Sequence, residues 1–213
     1  MLPKKQYYAN CAATIIKNLE KRNMKGVYFD TGREAAEYAL GLVRAGDKVS
    51  YGGTMSMEEL GMKEALAARD DITLYARTPD MTYIEADEKV YSKAFSCDWY
   101  FMSTNGITMD GELFNIDGWG NRTAALIYGP KNVVIVCGMN KVAPNLQACI
   151  DRVRNTASPA NCVRLEKNTP CSKTGRCSEC LSPDTICSQF VYTRHSAIPG
   201  RIQVVLAGEE LGY

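Results

Sequence analysis

Net charge of either sign is missing from this sequence. Its 25 basic and 24 acidic side chains leave a formal charge of +1, so the basic excess that a nucleic-acid-binding surface needs is not there, and no nucleic-acid partner is expected. Long apolar runs are missing too. The most apolar stretch, Val133 to Gly138, is far too short to cross a bilayer, and no membrane partner is expected. The opening residues, Met1-Leu-Pro-Lys-Lys-Gln-Tyr-Tyr, lack the apolar core of a secretory leader, which makes the cytoplasm the expected location. There the nine cysteines stay reduced, and their odd number also argues against a disulfide framework. Histidine is down to one residue, His195. With no partner evident beside it, it reads as a surface or hydrogen-bonded structural residue rather than a proton shuttle. Internal repeats and low-complexity tracts are absent.

What is present is an alternation of helical and strand patterns. Tyr8, Cys11, Ala12, Ile15, Ile16 and Leu19 recur at helical spacing over residues 5–24, with Gly26 as the stop. Val27 to Phe29 is a short strand. Thr31-x-x-Glu34 has the form of a capping box and opens a helix to about Arg44. Lys48 to Tyr51 is a strand, and Ser56-x-x-Glu59 is read as a second capping box opening the next helix. Ile72 to Tyr75 is a strand, a helix runs near Tyr83 to Phe95, and Asp98 to Met102 is strongly β-prone. Asn132 to Cys137 has the near-continuous apolar character of a buried parallel strand. Asn145 to about Thr156 is a helix, and Arg201 to Ala207 is the last strand. Strands alternating with helices predict an α/β protein with a mostly parallel sheet covered on both faces. The 213-residue length suits one domain over 1–213, with residues 161–200 as a cysteine-rich segment within it.

Two segments interrupt the alternation, and irregular segments in a compact domain are where function concentrates. Gly52-Gly53-Thr54 follows a strand and precedes a helix. Glycines let the backbone approach a ligand closely, and the helix start offers unpaired N–H groups. That is either an anion site or a tight turn that binds nothing; its place at the carboxyl end of a strand favours the former. Further on, Asp110-Gly111 between two short apolar runs reads as a β-hairpin turn. Asp117-Gly118-Trp119-Gly120 then leads into a helix over Arg122 to Tyr128 that Asn121 is expected to cap. Turn chemistry explains Asp110-Gly111, but less well the gathering of Asn115, Asp117, Asn121 and Arg122 in one stretch. Asp117 is the candidate base or metal contact, and Arg122, with Lys141, the candidate source of charge. Lys141, just past a strand end, is either a contact for an anionic substrate or a solvated lysine.

At these residues a family becomes visible. Gly52-Gly53-Thr54 with Glu59 and Gly61, Thr104-Asn105-Gly106-Ile107-Thr108, Asp110-Gly111-Glu112-Leu113 and Asn115-Ile-Asp117-Gly118-Trp-Gly120-Asn121-Arg122 resemble the motifs of the lactate-utilisation (LUD) domain family. Gly129-Pro130, Val133 to Cys137, Gly138-Met-Asn140-Lys141-Val142, Ala148 and Arg152 continue the match over nearly the whole chain. The resemblance implies a sheet of the ribose-5-phosphate isomerase and CoA-transferase type. It also implies a part in oxidising L-lactate to pyruvate beside iron–sulfur partner subunits. A sugar-phosphate isomerase or CoA-transferase is an alternative on fold analogy alone; for the latter, Glu112 is the nearest glutamate and reads better as a strand residue.

The remaining constellation is Cys171-x₅-Cys177-x₂-Cys180-x₆-Cys187 after Pro170. Four thiols in one glycine- and proline-punctuated loop can close on an iron–sulfur cluster or on zinc. The competing reading is a set of reduced thiols that bind nothing. If the loop is the working part, the chain is an iron–sulfur electron-transfer or assembly subunit without a catalytic site of its own. The sequence therefore predicts that Gly52, Gly53, Thr54, Asn105, Asn115, Asp117, Gly118, Gly120, Asn121, Arg122 and Lys141 meet around a small anionic ligand. It leaves open whether the chain forms a homo-oligomer.

Overall fold

The computed structural model describes residues 2–213. In chain order the elements are α1 (Pro3–Lys21), β1 (Lys25–Phe29), α2 (Gly32–Gly41), β2 (Lys48–Tyr51), α3 (Met55–Glu59), α4 (Met62–Ala67), β3 (Thr73–Tyr75), α5 (Tyr83–Ala86), α6 (Ser92–Ala94) and β4 (Trp99–Met102). Then follow β5 (Gly106–Thr108), β6 (Leu113–Asp117), α7 (Asn121–Ile127), β7 (Asn132–Gly138), β8 (Val142–Ala143), α8 (Leu146–Arg152), α9 (Ser158–Arg164), α10 (Pro170–Thr174), β9 (Gln189–Thr193) and β10 (Ile202–Ala207). A π-helical turn, Asp87–Tyr91, joins α5 to α6, and another, Val153–Ala157, joins α8 to α9.

Six parallel strands form the main sheet in the order β1-β10-β7-β4-β2-β3. Alternation along β7 explains its two covered faces. Val133, Ile135 and Cys137 pack with Ile15 and Leu19 of α1, while Val134 and Val136 pack with Ala36 and Ala39 of α2 and with Met57 and Leu66. The mostly parallel α/β sheet that the alternation predicted is thus the fold. Gly26 lies within β1 rather than ending α1: a Cβ there would stand 2.9 Å from carbons of Ile16 and Leu19, so the glycine lets helix and strand touch.

A second sheet, β8-β5-β6-β9, stands beyond the carboxyl edge of the first, because β5 and β8 follow within a few residues of the ends of β4 and β7. The hairpin β5–β6 turns at Gly111, whose φ of +79° only glycine adopts readily. Strand β9 had not been expected; its pattern Gln-Phe-Val-Tyr-Thr is β-prone, but it sits in the cysteine-rich segment and pairs only with distant β6. The helix opening at Asn145 also continues past Thr156 to Arg164, with Pro159 tolerated where a π-turn ends and α9 begins. Phe114, Ile116, Cys149 and Val153 fill the space between this sheet and α8.

Candidate anion site and cysteine cavity

The loop after β2 and the segment after β6 meet. A Cβ on Gly52 would lie 3.0 Å from Cγ of Arg122 and 2.9 Å from the Tyr100 hydroxyl, so the absent side chain is what lets Arg122 lie across the loop. Gly53 has open space around its α-carbon. Two adjoining cavities result. The inner, of about 70 Å³, is lined among others by Gly53, Thr54, Ser103, Asn105, Arg122 and Lys141. The outer, of about 670 Å³, shares Gly53, Asn105 and Arg122 and adds Asp117, Gly118 and Asn121. Both lie where the loops leave the neighbouring strands β2 and β4, the carboxyl edge at which open α/β sheets place ligands.

Arg122 is the organiser of this corner. Its Nη1 donates to the Ser103 carbonyl (3.2 Å) and Asn115 Oδ1 (2.8 Å); its Nη2 donates to Asn105 Oδ1 (2.9 Å) and the Ile116 carbonyl (2.8 Å). Nε stands 3.7 Å from Asp117 Oδ2. The guanidinium's donors are thus spent on protein acceptors, and what it offers a ligand is charge rather than hydrogen bonds. Asn115 is fully buried and does not line either cavity; it fixes Arg122. Asp117 accepts from the Thr123 backbone N–H (3.0 Å) and so caps α7. Asn121, expected to be the cap, is instead the first helical residue, because Gly120 (φ +83°) occupies the N-cap.

Lys141 is the feature that sequence spacing could not weigh. It is 4% exposed, and its Nζ donates to Ser56 Oγ (2.9 Å) and Ser103 Oγ (3.0 Å). Burial pulls its ammonium down to about 8; the nearby Cys137 works in the other direction, and the Arg152 and Arg122 cations repel it. Ser56 is therefore not a helix cap. Thr54 holds that position without a capping bond, Ser56 turns inward to Lys141, and Glu59 accepts from the Gly212 N–H (2.7 Å). Arg152, partly buried, donates to the carbonyls of Asn140 and Asn105 (2.9 and 2.7 Å). Arg164 reaches the inner cavity from α9 and donates to Asn161. Among the described residues, Lys141, Arg152 and Arg164 have no carboxylate at ion-pair distance. Thr54 Oγ1, in the same lining, is buried without a hydrogen-bond partner. Ser103 and Arg164 were missed in the sequence, and Ser56 and Arg152 were read there only as a helix cap and as part of the family resemblance; a lone serine or arginine carries no signal for such a site until the fold brings it to a lysine.

The cysteines form a separate place. Cys171, Cys177, Cys180 and Cys187 line one cavity of about 300 Å³, joined by Cys162 from α9, which spacing alone did not single out. Burial pushes the Cys162 thiol up to about 11 and also raises Cys187. Among the described residues no three His, Cys, Asp or Glu side chains are gathered closely enough to hold one metal ion.

Other residues weighed from sequence sit elsewhere. His195 is exposed and lines a pocket with Arg22 and Asp110, beside the turn that leads into the amino end of β1. Glu112 pairs with Arg22 (3.1 Å) and accepts from the Tyr192 hydroxyl (2.6 Å), away from both cavities. Trp119 is 70% exposed and stacks on Tyr83, and Trp99 donates to Asp47. No helix among the described residues is long and apolar enough to cross a membrane.

A six-stranded parallel sheet covered by helices on both faces, with a cationic cleft at its carboxyl edge, defines an α/β protein of the open-sheet class. The profile of the LUD domain matches residues 12–207, and the chain belongs to the LUD domain family, a lactate-utilisation-type protein at the level of family. A crystal structure of a DUF162 family protein from Deinococcus radiodurans is similar with a TM-score of 0.52 at 11% identity, covering 94% of this chain and 98% of that one. At that identity the likeness establishes the shared fold. Ribose 5 phosphate isomerase A from Neisseria gonorrhoeae is similar over 54% of each chain (TM-score 0.36, 14% identity). The eIF2B beta of Chaetomium thermophilum is similar over 55% of this chain and 44% of its own (TM-score 0.37, 13% identity). No curated protein matches the sequence.

Proposed function

We propose that this protein binds a small carboxylate in the Lys141 cleft and takes part in the oxidation of L-lactate to pyruvate with iron–sulfur partner subunits. The observation that carries this reading is the charge imbalance of the inner cavity. Lys141 is buried with hydroxyl partners only, Arg122 and Arg152 stand near enough to repel it, and Arg164 adds a third guanidinium. An unpaired buried cation is costly, and an anion arriving there relieves that cost. The chemistry of the donors suits a carboxylate: an ammonium, the Ser103 and Thr54 hydroxyls and the open backbone at Gly53 surround a space of about 70 Å³, which favours a small acid over a nucleotide. In the reaction the substrate's hydroxyl and α-carbon lose two protons and two electrons. The electrons pass to the partner subunits, and the residues here bind and orient the carboxylate.

Calorimetric titration with L-lactate, pyruvate and inorganic phosphate tests the proposal. Wild type is expected to bind the carboxylates, and Lys141→Gln to bind them at least about ten-fold more weakly, the loss of one charge-assisted contact of about 1.4 kcal/mol or more. Failure of wild type to bind either carboxylate, or equal binding by a folded Lys141→Gln, rules the site out. Asp117→Ala and Arg122→Ala extend the test to the second loop, with folding checked first.

A further inference from the structure

We propose that the cysteine cavity is the seat of a four-iron, four-sulfide cluster held by Cys171, Cys177, Cys180 and Cys187. Spacing alone left zinc, a cluster and inert thiols all open. The geometry separates them. Four of the lining thiols come from one stretch, and Cys162 on α9 adds a fifth, so five of the chain's nine cysteines wall one cavity of about 300 Å³. A tetrahedral zinc would need thiolates about 3.8 Å apart, from bonds of about 2.3 Å. A cavity of about 300 Å³ is more than a single zinc ion fills, whereas a four-iron, four-sulfide body takes up such a space between thiolates spread around its edges.

The surroundings point the same way. Arg154 lines the cavity, and its Nη2 donates to Cys177 Sγ at 3.4 Å. The Nε of the same side chain is buried with no partner, a donor that a cluster sulfur would satisfy. Thr169 Oγ1 stands 3.3 Å from Cys171 Sγ. Ile116 and Phe190 give an apolar wall. Cys177-Ser-Glu-Cys180 curls through a left-handed Glu179 (φ +53°), which turns both thiols to the same cavity. Cys162 is buried and fixed on helix α9, outside the stretch that carries the other four thiols, so it is assigned to the wall rather than to the ligands. None of the four ligand cysteines lines the Lys141 cleft, so this inference stands or falls separately from the carboxylate reading.

Loading is a ligand exchange. Each cysteine thiol replaces a small thiolate on a preformed cluster; an iron–sulfur bond to the cysteine forms, the bond to the small thiolate breaks, and that thiolate leaves with the cysteine's proton. The experiment offers the full chain, under anaerobic conditions, a synthetic four-iron, four-sulfide cluster capped by 2-mercaptoethanol. After desalting, roughly four iron and four sulfide per chain and a visible absorption bleached by dithionite are expected. Cys177→Ser and Cys180→Ser should lose most of that iron, whereas Cys162→Ala keeps it. Arg154→Gln should keep the cluster at a more negative potential, because a positive hydrogen-bond donor to its sulfur is gone. Wild type that retains no iron, that takes up only zinc in a parallel incubation, or that merely forms disulfides overturns the proposal. The wild-type arm decides even if a cysteine variant fails to fold.

Discussion

Replacing Lys141 by methionine should stabilise the protein near neutral pH while abolishing carboxylate binding. The gap between an ordinary lysine at 10.5 and the buried value of about 8 corresponds to about 3 kcal/mol of cost for holding the ammonium inside. Methionine has similar length and no charge. It gives up the two bonds to Ser56 and Ser103, but neither hydroxyl is orphaned: Ser56 Oγ also donates to the Leu211 carbonyl (3.2 Å) and Ser103 Oγ to that of Thr104 (3.3 Å). Subtracting about 1–2 kcal/mol for those bonds leaves a net gain of about 1–2 kcal/mol at about pH 7. The pH dependence is the sharper test. With a folded pKa below the unfolded one, the unfolded chain holds the extra proton between about pH 8 and 10.5, so wild-type stability rises across that window and the ammonium's cost is present in full below it. By about pH 9.5 wild type should regain about 2 kcal/mol that the variant never lost, erasing the variant's advantage. Urea denaturation of both proteins at several pH values measures the difference directly. A stability difference that stays flat from neutral to alkaline pH would falsify the buried-ammonium argument.

Four further outcomes are expected. Arg122→Ala should cost about 2–4 kcal/mol in denaturant unfolding, since Asn105, Asn115 and two carbonyls lose their donor, and Arg122→Lys should recover little because an ammonium cannot reproduce the fork. Gly52→Ala should lower the midpoint by the equivalent of about 1–3 kcal/mol through its clash with Arg122 and Tyr100, whereas Gly53→Ala should be nearly neutral; equal effects would contradict the packing described. Asp117→Ala removes the acceptor at the start of α7 and should cost about 1 kcal/mol, read as a shift in thermal midpoint. Carboxylate binding should take up protons when measured above about pH 8, because an anion beside Lys141 restores its charge; identical heats in buffers of different ionisation enthalpy would contradict this.

The sheet was legible because β7 and β10 are continuous apolar runs and the helices between strands repeat at helical spacing, so local pattern and tertiary burial agree. The meeting of the two glycine loops was legible from their places after strands. The details failed where a side chain serves a distant partner rather than its own helix. Ser56-x-x-Glu59 has the letters of a capping box, yet Ser56 binds Lys141 and Glu59 binds Gly212, both remote in sequence. Asn121, expected to cap α7, yields the N-cap to a left-handed glycine, and the N–H-accepting carboxylate at the start of that helix is that of Asp117. Strand β9 escaped because antiparallel pairing with β6 bridges more than seventy residues, and no local pattern announces such a partner.

Strand β6 is where the two cavities become one problem. Asn115 holds Arg122 behind the Lys141 cleft, Ile116 belongs to the walls of both the outer cleft and the cysteine cavity, and Asp117 caps the helix that carries Arg122. Ser158 and Thr185 are shared walls as well. A change that shifts β6 must therefore move both sites, whereas one confined to Lys141 or to Cys177 should not. Ile116→Ala, which opens the common wall without touching a charged group, is the substitution that reports this coupling. It should weaken carboxylate binding and cluster retention together, beyond the roughly 2–5 kcal/mol of stability that removing a buried isoleucine costs. If it impaired one site and left the other intact in the folded protein, the two cavities would be neighbours that do not communicate.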